Sequence, residues 1–432
     1  MRSRTGPVVL AIVLLAAAAA CDATNNRSSP PASTQAPAQA SDQHAGHGEH
    51  GAVAAAATPA ARAAQLEQYF AQHTLLAIRQ MRSILTATPE YREAADAELE
   101  EYTEELGQVV GGAYGDAQGE RFERIWQDGI THFTAYATAV AGNDAQARQR
   151  ARTTLEADAG AYGAWLAGAS KGRVGAADAT AAMRTHVEQL MRQADAYAAK
   201  DYDQAYRTER DAYEHMFAAG TALAKASFPP KTAAALDAPV AQLRAAFAML
   251  LGEHMQLIID TQRATFAGAP EFKAAAAEVN ANTTALTKGM SAIVGPVKAK
   301  EFQSAWANHV EGLLAYSTAV ADGDESARAA AREEMRGYGS RLALFLSDIV
   351  RNELPLAPIT SALGQHDQHL VDQVDAYAAK RFDDAQAMEL EGYAQMLGVA
   401  NTLVGALQRT VKPGLPVGGS QTGGGGTAHR RR

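Results

Sequence analysis

The chain has 432 residues with a formal net charge of −9, 20% charged and 6% aromatic residues, abundant alanine and a single cysteine. That length exceeds one ordinary core and predicts two folded regions plus extensions, largely helical because strand-forming residues are sparse. Lys and Arg are scattered among Asp and Glu with no basic stripe, which excludes a nucleic-acid binder, and one cysteine excludes an internal disulfide or a multi-cysteine metal site.

Residues 1–20 place Arg2 and Arg4 ahead of an apolar run from Val8 to Ala20. The run is short for a membrane span and suits a signal peptide. Cys21 follows at once, and the small residues before it resemble the lipobox of bacterial lipoproteins. The resemblance implies that Cys21 is lipidated and holds the chain on the extracytoplasmic side of a cell membrane. Ala18 stands where that motif usually has Leu, so cleavage after an Ala-x-Ala site and full secretion is the alternative. Residues 21–58 are rich in Ser, Pro, Gln and Ala and read as a disordered tether. Within it, HAGHGEHG offers His44, His47 and His50, a loose set that chelates copper, zinc or nickel weakly or is simply polar linker.

From residue 59 to 230, apolar residues recur every three or four positions, and Pro, Gly or Asp/Asn turns interrupt them. Six helical segments are predicted, roughly 60–87, 90–111, 117–141, 144–169, 176–199 and 202–227, with one turn at Gly111-Gly112. Residues 235–411 repeat the pattern. DAYAAK recurs at Asp195 and Asp375, AYATAVAGNDAQAR from Ala135 answers AYSTAVADGDESAR from Ala315, and HTLLAIRQMR from His73 answers HMQLIIDTQR from His254. The expectation is an all-α protein, a tandem duplication of an up-and-down helical bundle, each copy folding alone. Residues 412–432 read as a disordered Gly-rich tail.

Polar residues interrupt the apolar stripes at matched places. His73 and His254 fall on the first helix of each copy, His186 and His366 on the fifth, and Glu209 and Glu389 on the sixth. His309 joins them on the third helix of the second copy, where the first copy has Gly129. A buried carboxylate must be paired, protonated or bound to a cation. Two or three imidazoles and a carboxylate form a ligand set for zinc, iron or copper, built in bundles from facing helices. Such a site needs neutral imidazoles, so binding is expected to weaken as pH falls through about 6.5. The other reading is a hydrogen-bonded network that fixes helix register. The pairs Asp128/His132 and Asp211/His215 read as surface or accessory pairs.

No P-loop, dinucleotide fingerprint, nucleophile elbow, HExxH or CxxCH motif is present, so a non-enzymatic role is expected. The histidine of helix one, MRTHVEQL opening helix five and the helix-six ending HMFAAGTALAKASFP resemble an uncharacterised bacterial family of exported helical-bundle proteins with inward-facing histidines. That resemblance implies the fold and the inward histidines and no activity. The imelysin type of iron-transport lipoprotein shares the exported helical layout, but its GxHxxE motif is not in this sequence. Three functional expectations stand: a membrane-anchored lipoprotein that binds a transition metal, zinc or copper, through His/Glu clusters; a cell-envelope binding or scaffold module whose inward polar residues are structural; or an enzyme using the His/Glu sites with bound metal, for which the catalytic motifs are missing. The sequence names no protein partner.

Overall fold

The computed structural model describes residues 58–86, 88–351 and 353–410. The expected signal peptide, Cys21, the stretch holding His44, His47 and His50, and the Gly-rich tail lie outside the described residues. Among the described residues there are thirteen α-helices and no strand, which makes the protein all-α.

The first half contains α1 (Pro59–Thr86), α2 (Pro89–Tyr114), α3 (Asp116–Ala141), α4 (Ala145–Ala169), α5 (Ala176–Ala198) and α6 (Tyr202–Ser227). A short α7 (Pro230–Ala233) leads to α8 (Pro239–Ala267), α9 (Phe272–Val294), α10 (Pro296–Asp322), α11 (Glu325–Ile349), α12 (Leu356–Ala378) and α13 (Phe382–Thr410). One predicted turn is misplaced. α2 runs through Gly111-Gly112 and stops at Gly115, whose φ of 99° suits a residue without Cβ. Gly111 instead serves close packing, because a Cβ on Gly119 of α3 would lie 2.7 Å from the Gly111 Cα.

Within each half, consecutive helices pack side by side and the last returns to the first. α1, α3 and α5 also touch one another, as do α8, α10 and α12. Each half is therefore a ring of six helices whose alternate members meet in the middle. Left-handed residues close corresponding helices: Gly115 and Gly295, Asn143 and Gly323, Lys171 and Arg351, Lys200 and Lys380.

DAYAAK has a structural use in both halves. Asp195 accepts from the Tyr136 hydroxyl at 2.9 Å and pairs with Arg148, and Asp375 accepts from Tyr316 at 2.7 Å and from Arg328 at 2.7 Å. Tyr197 and Tyr377 lie against the guanidinium groups of Arg82 and Arg263, and the lysines, at φ 62° and 60°, end α5 and α12.

The halves meet over a buried, polar seam. From Phe70 to Ile84 every residue of α1 is buried, and so is every residue of α8 from Leu251 to Ala264, because each helix is covered by its own ring and by the other half. Arg82 bridges Glu209 and Asp260, Arg79 pairs with Glu389, and Arg263 reaches Glu389 at 3.2 Å and the Tyr91 hydroxyl at 2.8 Å. The Tyr213 and Tyr393 hydroxyls are 2.9 Å apart across the same seam. No single described helix is long and apolar enough to cross a membrane.

Candidate metal centre

The middle of the second ring holds three imidazoles, one from each inner helix: His254 on α8, His309 on α10 and His366 on α12. The 3.6-residue period puts each histidine on its apolar stripe, and ring closure brings the stripes together. One ring nitrogen of each lies within 4.8 Å of the others. The ring centroids are 5.4 to 5.8 Å apart, and all three residues are buried. Both nitrogens of His254 and His366, and Nε2 of His309, have no protein hydrogen-bond partner. Five imidazole nitrogens without a protein partner in one buried cluster call for a partner from outside the chain, since buried polar groups are nearly always paired.

Burial is the main cause of the electrostatics. It pushes His309 down to about 4 and His254 and His366 well below the usual histidine range, with mutual repulsion adding to the effect on the latter two. The imidazoles are therefore neutral, and ready to donate lone pairs, well below pH 6.5. The expected acid loss of metal binding is thereby displaced to pH values below 6.5.

His309 is oriented by a residue the sequence reading did not single out. Asp367 Oδ1 lies 3.2 Å from His309 Nδ1, leaving Nε2 for the cluster. The Asp367 carboxyl is mostly buried and is pushed up to about 7 by that burial. A carboxylate behind a ligating imidazole fixes its tautomer and raises its basicity. One signal could have revealed it: Gly129 and Val187 of the first half stand where the second has His309 and Asp367, so the two changes fall on side chains in contact.

The first ring is built differently. His73 and His186 face its centre, but Gly129 supplies no third imidazole, and a Cβ there would meet nothing within 4 Å. The Trp126 indole donates to His73 Nε2 at 2.9 Å, whereas the indole nitrogen of Trp306 in the second ring has no partner. His186 packs against Trp126 and Phe133, with Nδ1 unpaired. The space open to the centre of a water molecule is about 40 Å³ beside His73 and His186, and about 10 Å³ beside His309 and His366.

Glu209 and Glu389 are inward, as predicted, but the structure does not place them with the histidines. α6 and α13 belong to the outer part of each ring, and their carboxylates face the seam, where Arg82, Arg79 and Arg263 neutralise them. The accessory pairs also differ from expectation. His132 bonds Asp158 at 2.6 Å, not Asp128, and His215 bonds the carbonyl of Ala182 at 2.9 Å. The ligand candidates His44, His47 and His50, and the lipidation candidate Cys21, lie outside the described residues.

A buried histidine triad that could hold a metal ion is what the fold assembles. The chain matches no protein-family model, no curated protein and no solved structure.

Proposed function

We propose that this chain is an exported, non-catalytic protein, held at a membrane by a lipid on Cys21, that binds one transition-metal ion between His254, His309 and His366. The observation that carries the reading is the set of five unpartnered imidazole nitrogens inside a cluster whose ligand atoms lie within 4.8 Å. A network that served only to fix helix register would spend those nitrogens on protein partners, as His73 is spent on Trp126. Three neutral nitrogens from three helices, one of them backed by a carboxylate, form a preorganised set for a borderline or soft cation.

The structural reading is favoured by one specific observation, the Trp126 bond to His73, and it applies to the first ring. A division of labour follows: the first ring is scaffold and the second carries the ion.

The test is elemental analysis of the chain carrying His44→Ala, His47→Ala and His50→Ala after equilibration with Zn²⁺ or with copper and removal of the excess. One ion per chain is expected, and none in the same chain with His366→Ala added. A triple variant that retains no metal of either kind contradicts the proposal.

A further inference from the structure

Resting on the metal-binding reading above, the surroundings of the triad also select the class of ion. We propose that His254, His309 and His366 form a site for copper(I), a soft monovalent cation held in low coordination without bound water.

Charge is the first argument. The three imidazoles are buried, and the carboxylate in contact with one of them, His309, is Asp367. Glu389, the acidic residue that faces inward from α13, is committed to Arg79 and Arg263. The cluster of ligand atoms consists of three imidazoles and no carboxylate, so the charge of the ion is offset by none of its ligands and a dication is the harder ion to bury. The cost of desolvating an ion rises with the square of its charge, so a divalent ion pays about four times as much for the same burial.

Space is the second. The cavity beside the triad holds about 10 Å³, near the roughly 10–15 Å³ that a single water needs. That cavity borders His309 and His366 and not His254, so beside an ion among the three nitrogens it offers scant space for an aqua ligand. Zinc in proteins is almost always four-coordinate, with water in the fourth place where the protein gives only three ligands. Copper(I), a d¹⁰ monocation, is satisfied by two or three donors.

The third is softness. Met396 lines the same cavity as His309, His366 and Trp306, and it is buried. Its thioether is a donor that favours copper(I) over harder divalent ions. The Trp306 ring centroid lies 4.6 Å from that of His254, which sets a polarisable aromatic surface against the triad.

The experiment titrates copper(I), generated with ascorbate under anaerobic conditions and competed with bicinchoninate, into the chain carrying His44→Ala, His47→Ala and His50→Ala; a parallel titration uses Zn²⁺. Copper(I) is expected to bind at one per chain and at least about 100-fold more tightly than Zn²⁺, with an X-ray absorption edge of a three-coordinate copper(I) site. Met396→Leu, which keeps volume, is expected to weaken copper(I) about tenfold and leave Zn²⁺ unchanged. Zinc binding as tight as copper(I), or a copper site with bound water, overturns the copper(I) assignment and leaves the metal-binding reading standing. Binding of neither ion overturns both, and this comparison needs no variant of the triad to fold.

Discussion

Asp367 Oδ1 lies 3.2 Å from His309 Nδ1, and both residues stand where the first half of the chain has side chains that cannot make the contact, Val187 and Gly129. One interaction thus separates a ring with two inward histidines from a ring with three, and it fixes which nitrogen of His309 faces the cluster. Replacing Asp367 with Asn keeps the shape and removes the charge. Metal affinity is expected to fall about 10- to 100-fold, measured by chelator competition. An unchanged affinity would mean that Asp367 plays no part in positioning His309.

Stability should depend on pH in a defined direction. Burial lowers His73 to about 3 and His309 to about 4, and it lowers His186, His254 and His366 as well. Between these folded-state values and about 6.5 the unfolded chain binds protons that the folded chain refuses, so stability is complete above about pH 6.5 and is lost as pH falls below it. Each histidine contributes at most about 1.4 kcal/mol per pH unit in that window. Asp367, raised to about 7, and Glu209, Glu123 and Glu214, raised as well, all chiefly by burial, act in the opposite sense, because the folded state takes up their protons first. With His215, also lowered by burial, six histidines outweigh four carboxyls. The urea midpoint of the metal-free protein is expected to drop clearly between pH 7 and pH 5, and a constant or rising midpoint would refute this balance.

The seam between the halves gives a third prediction. Arg82 neutralises both Glu209 and Asp260 in a buried setting. Arg82→Met strands two carboxylates and is expected to cost about 3–5 kcal/mol, read as a lower urea midpoint. Adding Glu209→Gln and Asp260→Asn should recover much of the loss, since the stranded charge is the cause. No recovery would place the damage in packing against Tyr197 and Tyr206, over which the guanidinium lies.

Much of this arrangement can be read from the sequence where one helix face decides the outcome. A single apolar stripe places His73, His186, His254, His309 and His366 inside, and the structure buries each one. The same logic places Glu209 and Glu389 inside but cannot name their partners, because those come from other helices and from the other half. Arg79, Arg82 and Arg263 are missed for a related reason. A polar face on an amphipathic helix reads as solvated, yet α1 and α8 are covered on all sides over long stretches, so their polar faces form a second, charged interior. Asp367 escapes because it lies one residue off the stripe that holds His366.

Anchoring gives a fourth prediction, motivated by Cys21 directly after the apolar run. Cys21→Ala should move the protein from the membrane fraction to the soluble fraction, followed by immunoblot after cell fractionation. Full retention on the membrane would remove the lipid anchor from the account.

The most direct measurement of the central claim is the melting curve of the chain carrying His44→Ala, His47→Ala and His50→Ala, recorded with and without copper(I), Cu²⁺ and Zn²⁺. At least one of these ions, at a hundredfold excess over its dissociation constant, is expected to stabilise the fold by about 2.7 kcal/mol, and adding His366→Ala is expected to abolish the gain. Identical melting with and without every ion, together with a lower metal-free stability for His366→Ala, would contradict that claim and make the triad a structural element.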